Sequence, residues 1–509
     1  MKRTIFSFWI ITISIIIVKL AIHFLTSTIY ELHRDEFLYF VQGRHLSPGY
    51  ASTPPFIGFL AFIIRTVFGY SEFGIKLFPA LAGAASVLII ALMVKEFGGR
   101  NLAVITACTG YVISGSFLRS NSLFMPVSFD QFFWLLIAYL TLKLVLTGNH
   151  KIWLWIGIVA GIGFLNKYSI LFFIFAMFVA LLISNHRKIF LTKYFIFGTL
   201  AGFLIILPNL IWQYLHNWPV VNHMVELQRT QLANVTIAGF LLDQVWMSSS
   251  SLFIWMPGLF MLILIPHERK LRYIGLTFLV TLLVILLFRG KSYYTLGAYS
   301  MLLAAGGYLL EKYLHRGWRT AIYVMLFLSI IGTLVWLPLS LPFAPYPVVA
   351  RYTDPERGVP QRWEDGKIHP IPQDYADMTG WKELTMLVVD AFNSLTEEQQ
   401  SSCDIFAQNY GQAAAIDFYG HKYHLPDVIS FNDSYISWAP DSISSTHLIV
   451  VDYETGDIDK LFFNFECIGQ VNNEYFRENG VKVFLCSNPR PILGGYYTEK
   501  LSELRNAAR

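Results

Sequence analysis

The sequence is poor in charged residues and in cysteine, and both shortages exclude classes of protein. Only 14% of its 509 residues are charged, whereas soluble domains contain about 25%. Its four cysteines include no CxxC pair, which excludes a zinc ribbon or a thioredoxin-like redox site. The net charge of +4 is too small to indicate a nucleic-acid partner. The composition therefore argues against a wholly soluble protein, and the net charge gives no support for a nucleic-acid partner.

The spacing of the cysteines leaves one pairing open. Cys108 lies in an apolar run and is expected to be inert, whereas Cys403, Cys467 and Cys486 lie in the polar C-terminal region. A disulfide between Cys467 and Cys486 is compatible with an exported domain, but sequence alone does not fix the connectivity.

Apolar residues dominate instead, as expected for a chain that spans a bilayer many times. Hydrophobic residues make up 55% of the chain, phenylalanine alone counts 42, and the mean hydropathy is +0.49. A bilayer-spanning helix needs about 20 apolar residues. The first segment is too long for a signal peptide and has no clean cleavage site, so we predict that it is retained. Eleven segments are predicted to span: 6–26, 75–94, 102–118, 125–146, 152–165, 169–184, 194–212, 248–265, 272–288, 294–311 and 320–341.

The loops between these segments predict the orientation. With a cytoplasmic N-terminus, the inside loops are 95–101, 147–151, 185–193, 266–271 and 312–319. All are short and basic, as the positive-inside rule demands. Their cations are Lys95, Arg100, Lys151, Arg187, Lys188, Lys193, Arg269, Lys270, Lys312, Arg316 and Arg319. An odd number of spans then places the tail, 342–509, outside.

The outside segments differ from the inside loops in length and in content. Residues 27–74 include amphipathic stretches at 37–46 and 56–67, which are expected to lie in the membrane interface. Residues 213–247 form a second long loop. The tail is predicted to be a small α/β domain, with helices at 381–395 and 412–419 and strands at 404–408, 447–453 and 481–486. The predicted domains are therefore 1–341 and 342–509.

Two adjacent carboxylates follow the first span, in His33-Arg34-Asp35-Glu36. A carboxylate there could take a proton from an acceptor hydroxyl as that hydroxyl attacks a sugar C1. The alternative is an ordinary solvated loop. The flanking amphipathic stretches favour the functional interpretation because they would hold the pair near the bilayer.

Four further charges lie at or within the outer ends of spans. Asp130 lies inside the fourth predicted span, where a charge is functional or paired by default; the alternative is a side chain that reaches the outer interface. Lys167, Arg289 and Lys291 lie on the outside, where the positive-inside rule disfavours cations. An anionic ligand at headgroup level would explain these cations, and so would simple anchoring to lipid phosphate.

Other patterns carry less information. Asp457-Ile458-Asp459 has the spacing of a metal-binding DxD motif, but it follows a strand and is better interpreted as a surface turn. His23 in the first span is interpreted as a packed helix residue. No Walker-type or GxGxxG loop precedes a helix, so nucleotide binding is not supported.

Taken together, the motifs resemble those of a known family. The run 33–40, Gly43-Arg44-His45-Leu46, Pro54-Pro55 and the late Lys291-Ser292-Tyr293-Tyr294 resemble bacterial family 39-type (PMT_2, ArnT-like) glycosyltransferases of the GT-C superfamily. Glu72-Phe73-Gly74 and Lys76 resemble that family's second-span entry, where Arg is usual in place of Lys76. In the tail, 409–413 and 416–420 resemble its periplasmic domain.

The resemblance implies a fold and a reaction. The fold is a polytopic α-helical membrane protein of GT-C type with about eleven transmembrane helices and a C-terminal periplasmic α/β domain. The reaction is inverting transfer of a sugar from a polyprenyl-phosphate carrier to a protein, lipid or glycan acceptor at the periplasmic face of the bacterial inner membrane. Pro54-Pro55 lacks the preceding Lys common in aminoarabinose transferases, which counts against lipid A as the acceptor.

The resemblance and the charge pattern together predict roles for ten residues. The catalytic pair is Asp35 and Glu36, with Asp35 as the base. The donor phosphate is assigned to Lys167, Arg289, Lys291 and Tyr294, and the sugar pocket to Arg34, Tyr39, His45 and Asp130. No metal ligands are predicted, although a divalent cation (Mg²⁺ or Mn²⁺) stays open because some GT-C enzymes use one. The rival function is a transporter or flippase of lipid-linked sugars, but no inverted repeat is visible.

Overall fold

The computed structural model describes residues 2–508, and within them all side chains except those of residues 2–5, 234, 316, 507 and 508. The side chains of Lys2, Arg3 and Arg316, three cations near predicted spans, therefore lie outside the described residues. The chain forms two compact units. The first comprises Met1–Ser27, Lys76–Ile211 and Leu227–Phe343, and the second Thr28–Ile75, Trp212–Glu226 and Ala344–Arg509. The predicted domains, 1–341 and 342–509, stay a prediction.

The first unit is helical. Its helices are Lys2–Thr26, Glu72–Phe97, Asn101–Val112, Gly115–Ser120, Pro126–Thr147, Ile152–Asn166, Ile170–Ile183, Lys193–Leu215, Ile237–Met247, Leu252–Leu264, Arg272–Leu287, Leu296–Tyr313 and Arg319–Ser340. Short 3-10 turns occur at Arg187–Phe190, Leu232–Asn234, Ser249–Ser251, Pro266–Glu268, Ser292–Thr295 and Arg316–Trp318. Each of the eleven predicted segments lies mainly in helix, because long apolar runs bury their backbone polar groups only as helices in lipid.

Length and composition alone identify fewer membrane-spanning helices than the eleven predicted. Among the described residues, five helices are long and apolar enough to cross a membrane: Phe6–Thr26, Glu72–Phe97, Pro126–Thr147, Lys193–Leu215 and Arg319–Ser340. A bent pair, Ile237–Met247 with Ser249–Leu264, is broken by 60° and would make a sixth. Five shorter apolar helices, which include Asn101–Val112 and Ile170–Ile183, have 10–17 residues. The count of eleven therefore stays a prediction.

Two sequence expectations in this region were wrong. The predicted continuous segment 102–118 is broken at residues 113 and 114. Ser114 and Gly115 are poor helix formers, and the Ser114 and Ser116 hydroxyls both donate to the carbonyl oxygen of Met247. The segment 213–247, expected as a long loop, contains the helices Pro219–Thr230 and Ile237–Met247.

Paired glycines bring two helices of the first unit together. Ile152–Asn166 carries Gly157 and Gly161, and Lys193–Leu215 carries Gly198 and Gly202. A Cβ added at Gly157 would overlap the carbonyl oxygen of Gly198. Small residues four apart let helix backbones approach this closely in a membrane. The spacing thus fixes where the two helices cross.

The second unit contains the two amphipathic segments and the tail. Its helices are Arg34–Gln42, Phe56–Phe68, Pro219–Thr230, Tyr346–Tyr352, Gln373–Ala376, Trp381–Asn393, Glu397–Ser401, Tyr410–Gly420, Tyr435–Trp438, Ile458–Leu461 and Leu493–Ala508, with a 3-10 turn at His421–Tyr423. Its strands are β1 Gln361–Arg362, β2 Ile368–His369, β3 Cys403–Ala407, β4 Val428–Ile429, β5 His447–Asp452, β6 Phe462–Gln470 and β7 Lys482–Pro489. The predicted helices and strands of the tail are thereby confirmed.

The tail's main sheet has five strands in the order β4-β3-β5-β7-β6. β3 pairs in parallel with β4 and β5, whereas β7 is antiparallel to β5 and β6. The buried run of β5, residues 448–451, lies at the centre of this sheet. Cys467 lies opposite Phe484, and Cys486 lies opposite Phe465. The four cysteines are free thiols, so the disulfide left open by the sequence is not formed.

Candidate active site

The first turn of the helix Arg34–Gln42 is closed by its own side chains. Nδ1 of His33 accepts the Asp35 N–H at 3.1 Å, and Oε2 of Glu36 accepts the His33 N–H at 2.8 Å. This is a capping box with histidine in the position of the usual Ser or Thr. Glu36 is fully buried. Its carboxylate therefore holds the helix start, which leaves Asp35 as the more accessible of the two carboxylates.

Asp35 is held by a tyrosine of the tail. Its Oδ1 accepts the Tyr410 hydroxyl at 2.7 Å, and its side chain is 30% exposed. Tyr410 is the first residue of the helix Tyr410–Gly420, which Asn409 caps by accepting the N–H groups of Gly411 and Gln412. One carboxylate oxygen is thus fixed in place while the side chain remains partly open to solvent. That is the arrangement a general base needs.

A buried ionic network surrounds this helix start. The Arg34 N–H donates to the carbonyl oxygen of Asp377 at 3.1 Å, and the Arg34 guanidinium lies 4.6 Å from the ring centroid of Tyr410. Nε2 of His33 lies 3.5 Å from Oδ2 of Asp377, which also pairs with Arg477 at 3.0 Å. Burial raises the pKa of the Asp377 carboxyl, and His33, Arg477 and Arg34 oppose that rise. These contacts fix Arg34 and Asp35 against the tail.

The other predicted sugar-pocket residues of this unit lie further along the same segment. Tyr39 is half-buried on the helix Arg34–Gln42. The His45 ring stacks on Trp438, with centroids 4.3 Å apart and planes at 14°. Burial lowers the pKa of His45, and the neighbouring Arg44 lowers it further. His45 is thus held as a stacked ring whose pKa lies below its ordinary value.

In the first unit, Asp130 is buried and paired. Its Oδ1 accepts the Trp134 indole N–H at 3.0 Å, and its Oδ2 accepts the Ser169 hydroxyl at 2.9 Å. The residue is only 5% exposed. The alternative of a side chain that reaches the interface was therefore wrong, because both carboxylate oxygens are satisfied inside the helix bundle.

Three of the four predicted phosphate-binding residues come together in the same unit. The Lys167 ammonium lies 4.5 Å from the ring centroid of Tyr294 and 5.2 Å from that of Tyr293. Asp130 and Lys291 are close enough to act electrostatically on it. Lys167 follows the end of the helix Ile152–Asn166, where its backbone turns to an extended conformation. The result is a pair of lysines in electrostatic range of each other, of which Lys167 is bordered by two phenol rings and lies near one buried carboxylate.

Arg289 is the exception. Its side chain is exposed, and its backbone lies in the left-handed region at φ 52°. Within the part of the chain that the structure describes, no contact joins its guanidinium to Lys167, Lys291 or Tyr294. The structure therefore does not bring Arg289 into the lysine pair.

Two other sequence features have structural roles. Asp457 of the DxD-like run pairs with Lys460 at 2.6 Å and accepts the Tyr496 hydroxyl at 2.8 Å, which agrees with a surface turn. Nε2 of His23 lies 3.3 Å from the buried Lys19 ammonium, as expected of a packed helix residue. Among residues 2–508, no group of three or more His, Cys, Asp or Glu side chains could hold a metal ion.

Sequence reasoning missed the residues that position Asp35. Tyr410 lies in a motif that was noted for its resemblance, Asn409-Tyr410-Gly411, but nothing in that motif assigns its hydroxyl to Asp35. Asp377 stands in no recognisable pattern. The Tyr410–Asp35 and Asp377–His33 contacts each join residues more than 340 positions apart in the chain, so no local sequence pattern predicts them.

Comparisons with known proteins place this geometry in a family context. A family model described as dolichyl-phosphate-mannose-protein mannosyltransferase (PMT_2) matches residues 52–212, a range that contains Asp130 and Lys167 but not Asp35. The lipid A galacturonosyltransferase RgtD of Rhizobium johnstonii is 28% identical over 196 residues. That match covers 38% of this chain and 41% of the relative, less than half of either.

Two solved structures share the fold. The structure of ArnT from Cupriavidus metallidurans bound to undecaprenyl phosphate matches with a TM-score of 0.62 at 12% identity, over 94% of this chain and 98% of that one. The apo ArnT structure matches with a TM-score of 0.61 at 11% identity, over 94% and 97%. The chain therefore has the fold of ArnT, and over residues 52–212 its sequence matches the PMT_2 glycosyltransferase family, which confirms the resemblance that its motifs indicated.

Proposed function

We propose that this protein is an inverting glycosyltransferase that moves a sugar from a polyprenyl-phosphate carrier to a protein, lipid or glycan acceptor at the periplasmic face of the inner membrane. The observation that carries the proposal is the hydrogen bond that holds Asp35 to Tyr410 in a partly open site. The ArnT fold and the PMT_2 match support the same reaction class.

The proposed chemistry is a single displacement. Asp35 takes the proton of the acceptor hydroxyl while that oxygen attacks C1 of the donor sugar. The bond between C1 and the phosphate oxygen breaks, and its electron pair stays on the departing polyprenyl phosphate. Attack opposite the leaving group inverts the anomeric configuration. Glu36 supports the reaction by fixing the turn that carries Asp35.

The departing phosphate gains charge, and fixed cations would stabilise it. We assign this role to Lys167 and Lys291, with the Tyr294 ring positioning Lys167. Arg289 stays a candidate because it is exposed and lies two residues before Lys291. The sugar itself is assigned to Arg34, Tyr39, His45 and Asp130. Of these, Asp130 already has both oxygens bonded, so its role is to orient Trp134 and Ser169.

The proposed topology has eleven spans, with the tail in the periplasm. It is supported by the basic loops and by the helices that overlap the predicted segments, although 102–118 is broken at residues 113 and 114. An alkaline phosphatase fused to the C-terminus should be active, and a cytoplasmic reporter at the same point should be silent. The reverse pattern would mean that the span count is wrong by one.

The proposal leaves the class of acceptor open among protein, lipid and glycan. RgtD is named for transfer to lipid A, so lipid A stays among the acceptors, although Pro54-Pro55 lacks the Lys common in aminoarabinose transferases. A requirement for a divalent cation, Mg²⁺ or Mn²⁺, is tested by adding a chelator to the same assay. No feature of the fold or of the comparisons favours a transporter.

One assay tests the reaction directly. Purified protein is incubated with a panel of undecaprenyl-phosphate-linked sugars and a bacterial envelope extract, and products are identified by mass spectrometry. Sugar-modified acceptor with release of undecaprenyl phosphate is expected for at least one donor. Flip of the intact donor across proteoliposome membranes, without cleavage of the C1–O bond, would favour the transporter instead.

A further inference from the structure

The second unit contains a cavity of about 90 Å³ that the proposed reaction does not use. Its walls come from the segment after the helix Arg34–Gln42, from the helix Phe56–Phe68 and the residues after it, and from the helix Tyr410–Gly420 and the stretch after it. The polar side chains that line it are Arg44, Arg65, Tyr70, Asp417, His421 and Asp427. It can hold several water molecules or one tetrahedral oxyanion.

A close backbone contact places Arg44 and Arg65 at this cavity. A Cβ added at Gly43 would lie 2.6 Å from the backbone nitrogen of Phe62 and 2.7 Å from the carbonyl carbon of Ala61. Only glycine lets the end of the helix Arg34–Gln42 approach the helix Phe56–Phe68 this closely. Arg44 follows that contact directly, and Arg65 lies one turn beyond Phe62. Both guanidinium groups therefore reach the same space.

The two arginines differ in how their charge is satisfied. Nη2 of Arg44 lies 2.7 Å from both carboxylate oxygens of Asp427. Asp427 is 73% exposed, and an ion pair that exposed contributes little stability. Arg65 lies 5.7 Å from the ring centroid of Tyr70, and among the described side chains it has no carboxylate partner. One guanidinium is thus unpaired, and the other is held by an easily displaced surface carboxylate.

Apart from Asp427, the remaining polar groups offset this positive charge only in part. The His421 ring stacks on Tyr70, with centroids 3.8 Å apart. The Asp417 carboxylate accepts the Tyr435 hydroxyl at 2.6 Å and the Val428 N–H at 3.1 Å. Burial raises the pKa of Asp417 to about 7, so at neutral pH it carries only part of a negative charge. An incoming anion therefore meets two full positive charges and two carboxylates, of which Asp417 is weakened and Asp427 is an exposed partner that the anion displaces from Arg44.

We propose that this cavity, the Arg44–Arg65 cavity, binds a phosphate monoester group. Arg65 contacts the phosphate oxygens through its fork, and Arg44 turns to them from Asp427. Guanidinium groups match phosphate geometry with two parallel hydrogen bonds, which a lysine cannot copy. The phosphate belongs to a lipid headgroup or to a soluble phosphate ester. The binding does not depend on the proposed glycosyl transfer.

The test uses the full chain purified in detergent and two probes, inorganic phosphate and the soluble lipid dihexanoyl phosphatidic acid. Their dissociation constants are measured by ³¹P NMR titration for wild type and three variants. Arg65→Gln should weaken binding of the accepted probe about tenfold, the loss expected for charge-assisted hydrogen bonds. Asp427→Asn frees Arg44 and should tighten binding up to about fivefold. Arg351→Gln removes an exposed cation elsewhere in this unit and should change nothing.

The opposite signs of the Arg65 and Asp427 variants make the result decisive, since misfolding would weaken both. A response limited to inorganic phosphate supports a soluble ligand, and a response stronger for the lipid supports a headgroup. Thermal unfolding of each variant confirms that it is folded. Binding to wild type that is absent, or that is equal in Arg65→Gln, overturns the proposal.

Discussion

Asp35 and Glu36 are adjacent carboxylates with different surroundings, and this difference predicts different responses to the same chemical change. In Asp35→Asn the amide oxygen still accepts the Tyr410 hydroxyl, so the 2.7 Å bond and the fold around it are retained. What is lost is the ability to take a proton. Turnover should fall about 10²–10⁴-fold, which corresponds to roughly 3–5 kcal/mol in the activation barrier.

Glu36→Gln should cost far less. Its amide oxygen can still accept the His33 N–H, which the carboxylate now binds at 2.8 Å. The loss is one negative charge at a helix N-terminus, worth about 0.3–1 kcal/mol. Because Glu36 is fully buried and its carboxylate is bound to the backbone, we assign it no proton transfer. Turnover should stay within about tenfold of wild type.

The two variants are compared at a saturating concentration of whichever undecaprenyl-phosphate-linked sugar the wild type uses, with product measured by mass spectrometry. Melting temperatures in detergent show whether each variant is folded. Near-normal turnover in Asp35→Asn would refute the assignment of the base. Equal losses in the two variants would show that the carboxylates act as a pair, contrary to the geometry.

Three further predictions follow from single contacts. Tyr410→Phe removes the donor to Asp35 while keeping the ring beside Arg34, so kcat should fall about tenfold with little change in KM. Lys167→Ala should lower kcat and raise the KM for donor in a donor titration, whereas Lys143→Ala, which breaks an ion pair of 3.7 Å with Glu96, should leave both unchanged. Gly157→Ala should lower the free energy of unfolding by about 1–3 kcal/mol because its methyl group meets the backbone of the neighbouring helix. In the control Gly332→Ala the methyl group meets open space, so the melting temperature should be unchanged or slightly higher.

Most helices of the first unit could be predicted because they are apolar runs, and a run of that kind has one stable backbone conformation in lipid; Ile237–Met247 was missed. The break at residues 113 and 114 could not, because it depends on hydroxyl bonds to Met247, more than 130 residues away. In the tail, β5 was found from its buried hydrophobic run. β6 was missed because it lies at the edge of the sheet and most of its side chains are exposed. Its burial therefore does not alternate as a half-buried strand's does.

The candidate site shows the same limit at the level of single residues. The sequence located the carboxylates at 35 and 36, and the charge pattern identified Lys167 and Lys291, because charges near span ends are rare enough to need a reason. The residue pattern alone could not separate Asp35 from Glu36, and only the family resemblance favoured Asp35 as the base. Successive residues on a helix point about 100° apart, so one carboxylate turns back onto the helix start while its neighbour turns towards Tyr410. Glu36 is buried by its bond to the His33 N–H, so Asp35 stays the more accessible of the two. The hydroxyl that holds Asp35 in place belongs to a tyrosine 375 residues away in the chain, and it is this contact that makes Asp35 the residue on which the proposed chemistry depends.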